Sequence, residues 1–360
     1  MTGLLISYGD LEYDGRLRSL ISIFSEVCDL HTYTRGTNRT SIEKRIVNNS
    51  TYLSFIPSAV DYYRNNPVDI LILDNRKATI PGLLIHLLYK PSVIIQDCRE
   101  LYLFEETKHI TGKIGCIFER VMARRANIVI CANDERAEIL QYEYHLDNKP
   151  LVYENIRKLE YQNTDSFLEA KKRIDPYLED SVYRIVSSSG CSILRTNDVL
   201  VKALNNIDYP CQLFLVGSST TQDIDIIEKL AKTIDHNHTI TIIDQLNQSE
   251  LKYLISKSHV GIVNYGQYDT NNKYCASGKL FEFLYEGIPV VATENPPLKR
   301  IIDKTKTGIC DNSYFRGINI ILGEFDNYKY YVNDFKEQCS IDDYNEGFAS
   351  QIVSYLETHT

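Results

Sequence analysis

The sequence has no excess of positive charge. Thirty-nine Lys and Arg face 48 Asp and Glu, a formal charge of −9 over 360 residues. That argues against a general nucleic-acid binder, whose phosphate contacts need a basic surface. Paired cysteines are also missing. Nine Cys, at Cys28, Cys98, Cys116, Cys131, Cys191, Cys211, Cys275, Cys310 and Cys339, are scattered, and no two form a Cys-x-x-Cys pair. This spacing indicates neither a zinc site nor a disulfide framework, and a reduced cytosolic compartment is expected. Long apolar runs are absent as well. The longest, such as Gly82 to Leu88, fall far short of the roughly 20 residues that span a bilayer. Any membrane contact is therefore expected to be peripheral. The start, Met1 to Ser7, has no basic region and too short an apolar run for a signal peptide. No internal repeat or low-complexity tract stands out. What the chain does have is 43% hydrophobic residues, enough for one large core or two ordinary ones.

Short apolar runs alternate with helical patterns. Leu4–Tyr8, Asp69–Leu73, Val93–Gln96, Ile128–Cys131 and Leu151–Tyr153 read as buried parallel strands. Helical patterns cover Gly15–Val27, Ala59–Asn65, Ile80–Tyr89, Ile114–Arg125 and Asp134–Tyr142. A polar, charged stretch from 157 to 180 reads as an interdomain connection. A second series follows, with strands at Arg184–Ser187, Gln212–Val216, Ile240–Ile243, Val260–Val263 and Pro289–Ala292. Its helices are Thr196–Asn206, Asp223–Ile234, Ser249–Lys257 and Gly278–Glu286. The strand signal stops after Gly308. A last amphipathic helix, Asp342–Glu357, carries Phe348, Ile352, Val353 and Leu356 on one stripe. The expected fold class is α/β, with two Rossmann-like parallel-sheet domains, 1–156 and 181–340, facing a central cleft. Residues 341–360 are expected to pack back on the first domain.

The segment Asn271 to Thr293 reads as loop, helix, Gly stop and strand. Its helix begins near Ser277 and Gly278, small residues that leave backbone N–H groups open to an anion. Lys279 adds a full positive charge at the same end. Glu282 follows one turn later, placed to accept hydrogen bonds from both hydroxyls of a ribose attached to a bound diphosphate. Leu280, Phe281, Phe283 and Leu284 fill the buried side, and Gly287 ends the helix. An ordinary amphipathic helix, with Lys279 and Glu282 as a solvated pair, accounts for the same pattern. No Asp-x-Asp metal pair lies near this segment. Asp223-Ile-Asp225 has the spacing but sits at a helix start away from it.

Lys279-Leu-Phe-Glu-Phe-Leu-Tyr-Glu-Gly-Ile-Pro-Val-Val-Ala-Thr resembles the donor-site motif of GT-B glycosyltransferases, especially the glycogen-synthase-like family 4 and its polysaccharide-building relatives. Leu213-Phe-Leu-Val-Gly-Ser-Ser resembles the family's strand and glycine turn, with Gly217 and Ser218. Ile242 to Leu251 resembles its strand and loop beside the nucleotide base, with Asp244 and Gln245. Asp97-Cys-Arg-Glu-Leu and Val152-Tyr-Glu-Asn resemble the end of its first domain. The resemblance implies that the second domain binds a sugar nucleotide and the first binds the acceptor. It implies that Glu282 binds the ribose, and that Lys279 and the Ser277 and Gly278 amides contact the diphosphate. Gly190, Leu280 and Tyr274 fall in the same donor-binding set. Arg195 is implied to stabilise the leaving diphosphate, whose negative charge grows in the transition state.

The sequence departs from the family pattern at three points. Tyr274 stands where many retaining members carry a Glu, which leaves the stereochemical outcome open. Cys191 stands at the second basic position, and Arg99 where a His is common. In an inverting enzyme Asp97 or Glu100 would take the acceptor proton; as a helix cap and first-turn carboxylate they need no such role. Asp14, Gly15 and Arg16, after the first strand and beyond Gly9, are candidate acceptor contacts, with Arg16 holding an acceptor phosphate. The basic stretch from Lys108 through Arg125 reads either as a membrane contact for a lipid-linked acceptor or as a helix packed on its own sheet. The resulting expectation is a metal-independent transferase that takes a UDP-sugar donor and a glycan or lipid-linked acceptor. A degenerate subunit that binds a partner transferase or a glycan is the alternative. A sugar-nucleotide epimerase would need a set of acid–base groups that the sequence does not show.

Overall fold

The computed structural model describes residues 1–11, 14–35, 45–47 and 51–359. The chain divides into two compact units, Met1–Asn155 with Ile341–Thr360, and Ile156–Ser340.

The first unit is a seven-stranded parallel sheet. Its strands are β1 (Thr2–Asp10), β2 (Asp29–Arg35), β3 (Arg45–Val47), β4 (Ile70–Asp74), β5 (Val93–Cys98), β6 (Ile128–Cys131) and β7 (Leu151–Val152). They lie in the order β3-β2-β1-β4-β5-β6-β7. Every residue of β4 and β5 is buried, because helices cover both faces. One face places Leu5, Ile72 and Ile95 against Leu20 and Phe24 of the helix Gly15–Val27. Phe348, Ile352 and Leu356 of the helix Ile341–His359 join the same cluster. The other face places Leu4, Leu71 and Ile94 against Phe55, Ala59 and Ile85. The first domain's sheet holds two strands that the apolar runs do not announce. β2, Asp-Leu-His-Thr-Tyr-Thr-Arg, has a mixed burial pattern and too many polar residues to read as a buried strand. β3 is three residues long.

The second unit repeats the plan with six parallel strands. These are β8 (Tyr183–Ser187), β9 (Cys211–Val216), β10 (His238–Ile243), β11 (Val260–Val263), β12 (Val290–Ala292) and β13 (Gly308–Cys310), ordered β10-β9-β8-β11-β12-β13. β13 corrects the expectation that the strand signal stops after Gly308; it runs from Gly308 to Cys310 and pairs with β12 in parallel register. The stretch from 157 to 180 belongs to this unit and contains the helix Thr164–Ile174. Arg173 pairs with Glu250 at 2.8 Å, and the Tyr253 hydroxyl donates to Asp175 at 2.6 Å, which ties this helix region to the helix Gln248–Ser256.

The helix expected over Thr196–Asn206 is shorter, Asn197–Ala203, with single 3-10 turns on either side. Thr196, just before it, is left-handed (φ +58°), and the buried Asn197 side chain that opens the helix turns back on the preceding loop. Its Nδ2 donates to Gly190 O at 2.9 Å and Ser192 O at 3.2 Å. In both units the strand order reverses next to the first strand, so the carboxyl ends of the central strands flank a natural ligand crevice.

Candidate functional site

In the second unit three strand ends are locked together by backbone. Gly190, after β8, donates its N–H to Val216 O at 2.8 Å, and Gly217, after β9, donates to Ile243 O at 3.0 Å. Both glycines have positive φ, +61° and +129°. A Cβ on Gly190 would lie 2.7 Å from Ser218 O and 2.9 Å from Gly217 O. Only glycine permits this approach. Asn197 and Asn264 complete the brace. Asn264 Nδ2 donates to Asn197 Oδ1 at 2.8 Å, and Ser187 Oγ donates to the same oxygen at 3.0 Å.

Against these turns stands the start of the helix Gly278–Tyr285. Its N-cap, Ser277, makes no side-chain cap. Lys279 Nζ donates to Ser188 O at 2.7 Å. Burial, with the nearby Arg195 cation next in weight, pushes the Lys279 ammonium down to about 8, against the opposing pull of Glu282. The Arg195 guanidinium lies 4.0 Å from the centre of the Tyr265 ring. Its Nη1 is buried without a hydrogen-bond partner, as is Ser188 Oγ. Among the described residues neither Lys279 nor Arg195 forms a salt bridge. Glu282 is 5% exposed, and its Oε1 lies 2.6 Å from Arg157 Nε. The solvated Lys279–Glu282 pair is therefore not what forms.

A cavity of about 340 Å³ opens here, lined by Gly217, Ser218, Gln245, Lys279 and Glu282 together with Arg157 and Ser188. Ser218 Oγ donates to Gln245 Oε1 at 3.2 Å. Gly190 lies against Gly217 and Ser218, Gly278 against Arg157, and Arg195 close enough to Lys279 to act on its charge, but these three and Ser277 are not among the lining residues. Three expected residues differ. The Leu280 side chain is fully buried in the core and can offer a ligand only its backbone. Asp244 is exposed beside the cavity and does not line it. Tyr274 follows the short helix Thr270–Lys273, with the Lys273 ammonium 5.3 Å from its ring centre. Cys191 is buried in the core, so no cation stands at that position. Arg157, Ser188, Asn197 and Asn264 were not legible as site residues. Arg157 sits in the stretch read as a connection, and the asparagines read as helix and strand-end polar residues.

The first unit's candidates also come together, but in a different state. Arg16 is fully engaged. Its Nε and Nη2 donate to the two Asp97 oxygens at 2.9 and 2.8 Å, and Nη1 donates to Tyr153 O at 2.8 Å. Both side chains of the pair are almost completely covered. Arg16 thus presents no free fork to an acceptor phosphate, and Asp97 no free oxygen to a proton. Arg99 donates to both Asp14 oxygens, at 2.8 and 2.5 Å, and Asp14 also caps the helix that begins at Gly15 by accepting from Leu17 N. Burial opposes the Asp14 charge, yet Arg99 and this cap hold its carboxyl below the usual range. Asp74 completes the cluster. Burial pushes it up to about 6, against the pull of Arg99; Ser7 Oγ donates to its Oδ2 at 2.5 Å. Glu100 is the exposed carboxylate of the group, 3.9 Å from Arg136.

No family model and no curated relative matches this sequence. Solved structures do match in fold. HepE of Anabaena, in complex with UDP and glucose, is 13% identical, with 98% of this chain and 100% of that chain covered and a TM-score of 0.72. The sucrose-phosphate synthase of Thermosynechococcus elongatus is 14% identical over the whole of both chains, with a TM-score of 0.67. UDP-GlcNAc 2-epimerase of Neisseria meningitidis, bound to UDP-GlcNAc, is 13% identical over 99% of this chain and 100% of that chain, with a TM-score of 0.57. The architecture is GT-B: two Rossmann-like α/β units in tandem.

Proposed function

We propose that this chain is a glycosyltransferase that moves a sugar from a nucleotide-diphosphate donor, a UDP-sugar, to a hydroxyl of a glycan or lipid-linked saccharide. The observation that carries the reading is a pair of cations, Lys279 and Arg195, without a carboxylate of their own at the start of a helix. Two partly buried positive charges, one with its Nη1 covered and unpartnered, cost free energy unless an anion arrives. A diphosphate at the helix start meets both, and the attached ribose then falls near Glu282 one turn further on. Gln245, which lines the cavity beside Ser218, is proposed to border the base. HepE was captured with UDP, and the same donor class suits this cavity.

In the reaction the bond between the sugar and the diphosphate breaks, and charge grows on the leaving oxygen. Lys279, Arg195 and the helix amides then hold the transition state more tightly than the bound donor. These groups supply the positive charge that a bridging divalent ion would otherwise bring, so the transfer is proposed to be metal-independent. Of the carboxylates suggested for the acceptor proton, Glu100 is accessible and Asp97 is not. An epimerase needs acid–base groups around the sugar; the one carboxylate lining this cavity, Glu282, is held by Arg157.

The helix Ile110–Ala123 buries Cys116, Glu119, Met122 and Ala123, yet leaves Ile110, Ile114 and Ile117 exposed. Lys108 and Lys113 flank these residues in sequence. That face supports a peripheral contact with an anionic membrane carrying a lipid-linked acceptor. Failure to co-sediment with anionic vesicles at low salt would remove it. Among the described residues no helix is long and apolar enough to cross a membrane. All nine cysteines are free thiols, which suits the cytoplasm.

The test is a melting-temperature panel of UDP-, GDP-, dTDP- and ADP-sugars, followed by slow hydrolysis of the stabilising donor in EDTA. A donor at 100 times its Kd should stabilise the fold by about 2.7 kcal/mol. Binding without any hydrolysis would favour a non-catalytic subunit. Hydrolysis that strictly needs magnesium or manganese would refute the metal-independent mechanism.

A further inference from the structure

Glu282 is not free to receive a ribose in this structure. Arg157 forms an ion pair with it, Nε 2.6 Å from Oε1, without the alignment of a hydrogen bond. The same guanidinium lies across the start of the helix. A Cβ built on Gly278 would come within 2.4 Å of Arg157 Nε and 2.8 Å of its Cζ. Gly278 is thus the residue that lets Arg157 lie there, and one cation spans both the ribose carboxylate and the anion-binding helix end.

We propose that Arg157 is a two-position donor-binding residue: it neutralises Glu282 in the empty site and moves onto the diphosphate when the ribose hydroxyls take the carboxylate. The proposal rests on the donor-site reading above. Charge is the first support. Arg157, Arg195 and Lys279 against Glu282 leave two positive charges in excess, the complement of the two negative charges on a nucleotide-sugar diphosphate. Exposure is the second. The Arg157 side chain is 38% exposed and that of Glu282 is 6% exposed. The cation is therefore the partner able to move, and the carboxylate is the fixed one. Energetics is the third. A buried carboxylate stripped of its cation needs replacement donors, and a ribose diol supplies two. The guanidinium released in the same step needs an acceptor, and the diphosphate supplies it a short reach away. At this helix end no cation comes from Cys191, which is buried in the core.

The experiment measures affinity for UDP and for uridine by calorimetry or ligand-observed NMR, on the full chain and on Arg157→Gln. Uridine carries the ribose and base without phosphate. The expected result is a loss of UDP affinity of about tenfold or more, as for a lost charge-assisted hydrogen bond. Uridine affinity should hold or rise, because no cation competes for Glu282. Arg157→Lys, which keeps the charge without the fork, should retain more of the UDP preference than Arg157→Gln. The ratio of the two affinities is read only on folded protein, so a loss of folded fraction does not mimic the effect. Equal losses for UDP and uridine in both variants would make Arg157 a structural residue and overturn the proposal. Unchanged UDP affinity would overturn it as well. A wild-type chain that binds neither ligand would refute the donor-site reading itself, a different failure from an unchanged ratio.

Discussion

The two sheets end in clusters of charge that share a fold position and differ in their balance. In the first unit's cluster Arg16 pairs with Asp97 and Arg99 with Asp14, each by two hydrogen bonds. In the second unit Lys279 is bonded to a carbonyl and Arg195 is stacked on a ring. A buried cation with a bidentate partner is part of the scaffold, and removing either member leaves the other stranded. Half-buried cations without a carboxylate are tolerated at a cost to stability, and such a cost marks a candidate ligand site. The same doubly wound sheet thus ends in a closed knot in one unit and an open site in the other.

The two clusters should differ most in what they contribute to stability. Arg16→Ala should cost about 3–5 kcal/mol, the usual result of leaving a buried charge without its partner. Arg195→Ala should cost about 1 kcal/mol or less, because it gives up a ring contact and strands no carboxylate. Urea melts of the two variants decide this, and equal losses would erase the distinction between knot and site. Catalysis should show the reverse order within the second unit. Lys279→Ala should raise the barrier by about 2.7–4 kcal/mol, as for removal of one group that stabilises developing negative charge. The drop should fall on kcat for UDP-sugar turnover, with the melting temperature held or raised. A rise in KM alone would reduce Lys279 to an anchor for the donor.

The difference between the clusters was only half visible in the sequence. The strands of both cores were legible because buried parallel strands are nearly unbroken apolar runs, as in β4 and β9. β2 was not, since His31, Thr32 and Thr34 interrupt any such run. The helix Gly278–Tyr285 was legible from Ser277, Gly278, Lys279 and Glu282, all local in sequence. Arg157 was hidden because its contact with Glu282 is made by tertiary folding of a segment that has no motif of its own. The Arg16–Asp97 pair was hidden for the same reason. Each residue looked like a functional candidate, and neither one revealed that the other would consume it. Local chemistry thus pointed to the strand ends where charge gathers, while the pairing that separates the two clusters came only from the fold.

The smallest effect separates the clusters by pH. Without a ligand, burial and the neighbouring Arg195 push the Lys279 ammonium down to about 8. The ordinary lysine value is near 10.4. In the unfolded chain Lys279 therefore keeps its proton over a range in which the folded chain has lost it. This term destabilises the empty protein below about pH 8 and fades as pH rises from 8 towards 10. A bound diphosphate acts in the opposite sense, because an anion beside the ammonium raises its pKa. Donor binding then takes up a proton above pH 8, and donor affinity should fall by about tenfold between pH 7 and pH 9, roughly 1.4 kcal/mol. Against the opposing effect of burial, Arg16 is held in its charged form by Asp97 and Arg99 by Asp74 and Asp14, and neither arginine contributes such a slope. Affinity for a UDP-sugar should be measured across that range in wild type and in Lys279→Met, since the base itself begins to titrate near the upper end. The slope should disappear in Lys279→Met, whose affinity should be low throughout. Parallel slopes in the two proteins would mean that Lys279 does not face the diphosphate.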